Sequence, residues 1–151
     1  MKRSDALAPL SREHHVALEV ALRLRRAEDA DAATARAAFL GFFTPEGEAH
    51  VRVEEEVLLP AVADVLPPDD ADVARVRDEH AEIRRRAADL AADAGTAVAE
   101  LHTLGELLDE HVRHEERVFF PRIEAALGEE RLARLGAELS AAGSGHRPPR
   151  V

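Results

Sequence analysis

One stretch of the sequence occurs twice and contains residue types that bind metal ions. Residues 50–60, HVRVEEEVLLP, align without gaps on residues 111–121, HVRHEERVFFP, and seven of the eleven positions are identical. Each copy begins with a histidine followed four residues later by a glutamate, which gives the pairs His50 and Glu54, and His111 and Glu115. On a helix this spacing is about 6 Å of rise, so both side chains of a pair project from one face. Imidazole nitrogen and carboxylate oxygen on one face are typical of a metal site.

A further histidine lies upstream of each copy and next to a glutamate. His80 precedes the second copy, whereas the first copy is preceded by two candidates, His14 and His15. His14 has the same acid-adjacent position as His80. His15 instead has a large apolar residue three positions later, Leu18, as His80 has Ile83. We take His15 as the predicted ligand and keep His14 as the alternative.

Helices are the elements that must position these residues. Ala, Leu, Glu and Arg dominate the 151 residues, and no segment has the period-two pattern of a strand, so the sequence predicts an all-α bundle built from two related helical hairpins. We place the domain at residues 1–140 and a flexible, frayed tail at 141–151. Capping residues and helix breakers predict five helices. The first runs from Ser11 to about Arg26, and the second ends near Pro67-Pro68 and is interrupted at Thr44-Pro45. The third runs from Asp69-Asp70 to near Gly95, the fourth from a Thr96 cap to about Gly128, and a short fifth from Glu129 to Ser140.

The polar residues of the repeat fall on the apolar stripes of these helices. In the fourth helix, Leu104 and Leu108 lead at spacings of three and four into His111 and then Glu115. The second and third helices carry their histidines in the same way. A buried glutamate costs several kcal/mol unless it is paired, no lysine lies nearby, and most arginines lie off the stripes. Metal ions are therefore the predicted neutralising charge.

The repeat suggests how the ligands are shared between two metals. We predict that one metal takes His15 and His50 and that the other takes His80 and His111. A glutamate one turn after its histidine can reach the same metal and offer its second oxygen to the neighbouring one. Both metals are therefore expected to share the remaining two ligands, Glu54 and Glu115, as carboxylate bridges. One or two positions per metal then stay open for water, hydroxide, dioxygen or peroxide.

Other residues near the repeat receive structural roles by default. We expect His102, His114 and His146 to be structural or solvated, with the rim of the cluster as the alternative for His114. Glu55 and Glu116 are expected to be solvated, with support of the ligands as their alternative role. The proline that closes each copy, Pro60 or Pro121, lacks a helical donor and is expected to end or bend its helix.

Composition excludes several classes of function. The formal net charge is −10, and no patch of Lys and Arg with interleaved aromatic residues offers a surface for nucleic acid. The chain has no Cys, which excludes thiolate chemistry and Cys-ligated metal sites. It has neither a signal-peptide pattern nor an apolar run long enough to span a membrane, and we expect a cytoplasmic protein that does not bind membranes.

The order and spacing of the six predicted ligands, within Ser11 to Leu127, resemble those of the hemerythrin-like, or HHE cation-binding, family. The resemblance implies an up-down-up-down four-helix bundle around two irons, with roles in dioxygen binding, in oxygen, nitric oxide or redox sensing, and in iron handling. Oxygen carriers of the family have a second histidine four residues after the third-helix histidine. Arg84 occupies that position here, so the resemblance does not extend to reversible dioxygen transport.

Three functions remain open at this stage. The favoured one is a di-iron protein that binds or senses dioxygen, nitric oxide or peroxide, or handles iron. The second is an enzyme that turns over peroxide or dioxygen, with His114 or His14 as proton donor. The third is a structural bundle, either metal-free or stapled by zinc. Manganese and zinc are alternatives to iron because His and carboxylate sites accept all three. A protein partner and the oligomeric state are not predicted.

Overall fold

A computed structural model describes residues 2–144, and this part of the chain contains helices and no strands. The all-helical prediction is therefore confirmed. The helices are α1 (Ala8–Arg25), α2 (Ala32–Phe42), α3 (Glu48–Val53), α4 (Leu59–Ala61), α5 (Ala71–Ala92), α6 (Val98–His114), α7 (Phe120–Ala126) and α8 (Glu129–Ser144), with π-helical segments at Phe43–Gly47, Glu54–Leu58 and Glu115–Phe119. In none of these helices is an apolar stretch long enough to cross a membrane.

Several predicted boundaries differ from the observed ones. α1 begins three residues before the predicted Ser11 cap, with Pro9 in its first turn. α6 follows an extended Ala97 rather than a Thr96 cap. α8 continues through residues 141–144, four residues beyond the predicted end of this helix at Ser140 and into the predicted tail. The remainder of that tail, with His146, lies outside the described residues.

Two predicted features of the backbone are present. α5 starts after Asp70, whose carboxylate accepts hydrogen bonds from the backbone N–H groups of Asp72 and Val73 and so satisfies donors that the first helical turn leaves free. The interruption expected at Thr44-Pro45 is also observed, because Thr44 has an extended backbone with φ −116° and ψ 107°.

Each copy of the repeat forms one continuous helical rod, residues 48–61 and 98–126, with a π turn in the middle. The N–H of Leu59 donates to the carbonyl of Glu54, and that of Phe120 donates to the carbonyl of Glu115, five residues back in both rods. A proline follows each of these donors. Its ring crowds the carbonyl of the preceding turn, and a wider turn accommodates it. The helices therefore widen at the prolines, and the second rod continues to Ala126 rather than ending there.

The hydrophobic core is split into two clusters. The first, here called the α8-side core, includes Leu10, Val76, Phe119 and Phe120 and is closed by Leu135 and Leu139 of α8. The second, the α2-side core, includes Ala17, Ile83, Leu104 and Leu108 and is closed by Ala35, Phe39 and the adjoining Phe43. In α1 and α5 the chain passes from the α8-side core to the α2-side core. It passes the other way along the second rod, and also from α2 into the first rod, whose buried apolar residues Val53 and Leu58 lie in the α8-side core. A layer of polar residues lies between the two cores.

Candidate metal centre

Six side chains from four helical elements form the polar layer between the cores. Their potential ligand atoms fall into two groups, in each of which all atoms lie within 4.8 Å of one another. Two glutamates belong to both groups, and each group adds two histidines of its own. The groups are His14, His50, Glu54 and Glu115, and Glu54, His80, His111 and Glu115. Five of the six predicted ligands therefore come together as expected.

The sixth prediction, His15, is corrected to His14. The His15 side chain is exposed, whereas His14 is 3% exposed and its Nε2 lies 3.0 Å from Glu115 Oε1. His15 was preferred because the large apolar residue Leu18 lies three positions later, but this side of α1 faces outward. Leu18 is only partly buried, and Leu22, one turn further along the same side, is 41% exposed. The inward face of α1 instead carries small residues such as Ala17, which pack closely against α6.

The inner nitrogen of every histidine faces one of the two shared glutamates. His80 Nε2 lies 3.0 Å from Glu54 Oε1, and His50 Nε2 lies 3.4 Å from Glu54 Oε2. His111 Nε2 lies 3.4 Å from the same Glu115 oxygen that His14 contacts. Each glutamate thus lies between one histidine of its own rod and one histidine of another helix.

The outer nitrogen of every histidine faces a second carboxylate. The contacts join His14 to Glu116 (2.7 Å), His50 to Glu13 (3.3 Å), His80 to Glu55 (3.0 Å) and His111 to Glu79 (2.9 Å), in each case through Nδ1. An ionised carboxylate only accepts hydrogen bonds, so each Nδ1 carries the proton and donates. This leaves each Nε2 as the atom that can offer a lone pair to a metal, as in metal sites whose histidines are oriented by carboxylates.

The site has an internal twofold relationship that follows the sequence repeat. Exchanging the two helical hairpins maps His14 onto His80, His50 onto His111 and Glu54 onto Glu115, and it maps the outer carboxylates onto one another. The ring centroids of His14 and His50 are 4.9 Å apart, and those of His80 and His111 are 4.8 Å apart. Both halves therefore present nearly the same donor set.

Three of the four outer carboxylates are held by further hydrogen-bond donors. Ser11 Oγ donates to Glu116 over 2.7 Å, Arg84 Nη1 donates to Glu55 over 2.8 Å, and Arg75 Nε donates to Glu79 over 3.2 Å. The N-terminal segment adds Arg3, whose Nη2 lies 3.4 Å from Glu116. Glu13 differs from these three, since half of its side chain is exposed.

Several inward-facing atoms of the site are buried without a hydrogen-bond partner among the described residues. An unsatisfied buried polar atom costs about 1–3 kcal/mol, and more when it is charged. These atoms face one another across the polar layer, but an imidazole whose proton is on Nδ1 offers only a lone pair at Nε2, and a carboxylate oxygen only accepts. A cation is therefore the partner that would satisfy both kinds of atom together. They are His50 Nε2, His80 Nε2, Glu115 Oε2 and both carboxylate oxygens of Glu54. The donor set therefore fits a pair of metal ions.

The close approach of buried imidazoles and carboxylates changes the pKa values of both. Burial lowers the pKa of His111, but the charge of Glu115 and hydrogen bonds to Glu115 and Glu79 outweigh it and raise this pKa to about 10. Burial raises the pKa of Glu115, yet the imidazoles of His111 and His14 hold it well below its ordinary range. The pKa values of His14 and His80 are raised for the same kind of reason. Without a metal, protons on the imidazoles therefore balance the buried carboxylates.

A cavity of about 130 Å³ adjoins the site on its α2 side. Three imidazoles, those of His14, His50 and His111, line one part of it. His80 is not among its lining residues and is fully buried. The half of the site with His14 and His50 therefore has an open approach.

Sequence reasoning missed some functional residues and placed others outside the site. Glu13 and Glu79 were not predicted to support the site. Each immediately precedes a histidine of the cluster, His14 or His80, and this repeated Glu-His dipeptide was the signal that could have identified them. His114 Nε2 contacts Asp72 at 2.9 Å, and His102 Nε2 contacts the Ala27 carbonyl at 2.8 Å. Both histidines lie outside the cluster, as expected.

Comparison with known proteins agrees with this geometry. Residues 5–142 match the family model described as the hemerythrin HHE cation binding domain, which covers nearly the whole chain. No curated protein sequence and no solved structure shows significant similarity to the chain.

Proposed function

The chain belongs to the hemerythrin HHE cation-binding domain family, and from this premise we propose that it holds two iron ions and binds or senses a small ligand at them. The ligand classes are dioxygen, nitric oxide and peroxide, and iron handling belongs to the same proposal. The alternation of chain direction between the two cores supports an up-down-up-down arrangement of the four site helices, with α8 as an additional helix.

The proposed ligand assignment follows the two groups of side chains. His14 and His50 would hold one iron and His80 and His111 the other, with Glu54 and Glu115 within reach of both. The observation that carries the proposal is the set of buried inward atoms without protein partners, which lie on these residues. Bound iron would supply open coordination positions and redox capacity for the ligand.

The residues around the ligands supply orientation and charge balance. The four outer carboxylates hold the Nδ1 protons, so that all four Nε2 lone pairs converge. Arg84 occupies the position where oxygen carriers have an additional histidine. It instead donates to Glu55 and to Glu48, with Nε 3.0 Å from Glu48 Oε1. Each metal then has two histidines, and this symmetry favours binding or sensing over reversible transport.

A second candidate function is turnover of peroxide or dioxygen. It is favoured by the contact between His50 Nδ1 and Glu13 Oε1, because a half-exposed carboxylate there links the site to solvent and can pass protons. His114 does not fill this role, since it faces Asp72. The proposal of binding and sensing predicts saturable ligand uptake without turnover.

Ligand binding tests the proposal directly. Protein loaded anaerobically with ferrous iron is titrated with nitric oxide, dioxygen and hydrogen peroxide while the optical spectrum is recorded. We expect a saturable change with at least one ligand and none in His14→Ala, with His15→Ala as the matched control that keeps it. Continuous consumption of peroxide or dioxygen would support the enzymatic function. A redox-silent, zinc-only protein would overturn both.

A further inference from the structure

The cavity beside the site is asymmetric, although the site itself repeats. It is lined by three site imidazoles, by carboxylates at its mouth and otherwise by apolar groups. The apolar lining includes Ala17, Phe42, Phe43, Val51 and Ile83. The other two main cavities of residues 2–144 lie elsewhere, one beside Leu22 and Arg26 and the other beside Ala61 and Arg131, and neither touches a histidine of the site.

The two halves of the sequence repeat differ at the positions that line this cavity. Three residues after the upstream histidine, the first half has Ala17 where the second half has Ile83. Three residues before the histidine of the rod, the first half has Gly47 where the second has Leu108. Ala and Gly thus replace two large aliphatic side chains beside His14 and His50. A Cβ at 47 would lie 2.7 Å from Phe43 Cδ1, so the Phe43 ring takes the space beside Gly47. Ala17 is therefore the replacement that leaves room in the cavity beside His14.

The lining defines what the cavity can accept. Its walls are apolar, and its polar groups are imidazoles at the site and the exposed carboxylates of Glu13 and Glu46 at the surface. Negative charge at the entrance disfavours anions. An engineered apolar cavity of about 150 Å³ holds benzene, so a space of about 130 Å³ is suited to a small organic molecule and is larger than a diatomic gas requires.

We propose that this cavity binds a small uncharged organic molecule with an apolar body and one oxygen function, the oxygen facing the imidazoles of His14 and His50. The inference rests on the proposed function, because the oxygen then meets the open side of the first metal. On this proposal, the half of the site with His14 and His50 accepts small organic compounds, such as an alcohol or an organic hydroperoxide, in addition to diatomic gases.

Titration with phenol and benzoate tests the size and charge that the cavity accepts. Both carry one aromatic ring, but phenol is neutral at pH 7 and benzoate is an anion. We expect saturable calorimetric binding of phenol to the full chain, in metal-free and iron-loaded protein alike, and about tenfold or greater weaker binding of benzoate. Absence of phenol binding, or equal affinity for both, would overturn the proposal.

Variants of Ala17 test the location. Ala17→Ile introduces the residue that the other half carries and should weaken phenol binding about tenfold or more, whereas Ala17→Ser, which keeps the space, should retain it within about threefold. If circular dichroism shows that Ala17→Ile does not fold, Val16→Phe at the 45% exposed rim provides the same test. Unchanged phenol affinity in the folded variant would contradict the inference.

Metal content measured on the same samples separates the two proposals. A protein that holds iron but rejects phenol would refute the organic ligand and leave the proposed function standing. A protein that binds phenol in the cavity but holds no iron would refute the proposed function and leave the cavity assignment standing, without its metal.

Discussion

His14 Nδ1 lies 2.7 Å from Glu116 Oε2, and the same relationship at 3.0 Å joins His80 to Glu55 in the other half of the site. In both halves this outer carboxylate immediately follows the shared glutamate in the sequence. One dipeptide of each rod therefore supplies a shared inner carboxylate and a group that orients a histidine of another helix. This explains why two adjacent glutamates occur in both copies of the repeat.

The Glu116→Gln variant tests this support of the ligands. Replacing the carboxylate weakens the hydrogen bond that holds the Nδ1 proton of His14, and loss of such an outer contact typically lowers metal affinity about 10–100-fold. We expect a reduction in this range in a competition assay with a chelator. Glu56→Gln is the control, because the Glu56 side chain is 64% exposed and its one ion pair within residues 2–144 is with Arg52. Equal affinity in the two variants would contradict the assignment.

Paired alanine variants of the adjacent histidines identify the ligand on α1. If His14 and His50 hold one metal as proposed, His14→Ala removes one of its two nitrogen ligands, whereas His15→Ala alters an exposed side chain. Metal analysis should show a marked loss for His14→Ala and wild-type content for His15→Ala. The reverse result would restore the original prediction of His15 and refute the orientation of α1.

The His111→Ala variant tests how the buried charges are balanced. It removes the partner of Glu115 and Glu79 and leaves a fully buried carboxylate less compensated, which typically costs about 3–5 kcal/mol. Urea unfolding should show this loss in metal-free protein, and metal content should also fall. In the control variant His102→Ala, only the bond to the Ala27 carbonyl is lost, at about 1 kcal/mol, and metal content stays unchanged. Full stability and metal content in His111→Ala would be incompatible with the assignment.

Metal-free and metal-loaded protein should respond oppositely to pH. The pKa of His111 is about 6.5 in the unfolded chain and is raised to about 10 in the fold. Its contribution to stability is complete below the unfolded pKa and is lost as pH rises through about 10. Urea unfolding of metal-free protein should therefore show falling stability from about pH 7 to pH 10. Metal affinity should increase over the same range, because protons no longer compete for the imidazoles.

At acid pH the buried carboxylates change the stability of metal-free protein in the opposite direction to the imidazoles. The lowered pKa of Glu115 contributes stability above its unfolded value, and that contribution disappears as pH falls. Metal-free protein whose stability is constant from neutral to alkaline pH would show that the imidazoles do not balance the buried glutamates.

Most of the site was predictable because the repeat and the helical period act together. His50, Glu54, His111 and Glu115 lie on stripes whose other members are large and apolar, and the all-helical fold follows from composition and breakers. The orientation of α1 was not predictable in this way. Its inward face carries Ala17 and Ala21, while its leucines at 18 and 22 are half-buried or exposed. The size of the apolar side chains therefore indicated the wrong face of α1, and with it His15 instead of His14.

The outer carboxylates show a second limit of sequence reasoning. Helical geometry indicates which side chains share a face, but it does not indicate which neighbouring helix a charged residue contacts. Glu13 reaches His50 and Glu79 reaches His111, in each case on another helix, and only the packing of α1 and α5 beside the rods makes these contacts visible. The π turns were likewise unexpected, although the prolines at 60 and 121 mark their positions.

The number of metal ions bound per chain tests the central claim most directly. The full chain is loaded anaerobically with ferrous iron, separated from unbound metal and analysed by elemental analysis. Two groups of ligands that share both glutamates predict about two irons per chain in the wild type and a clear reduction in His14→Ala. No bound iron after anaerobic loading, or wild-type stoichiometry in His14→Ala, would contradict a carboxylate-bridged pair of metals at this site.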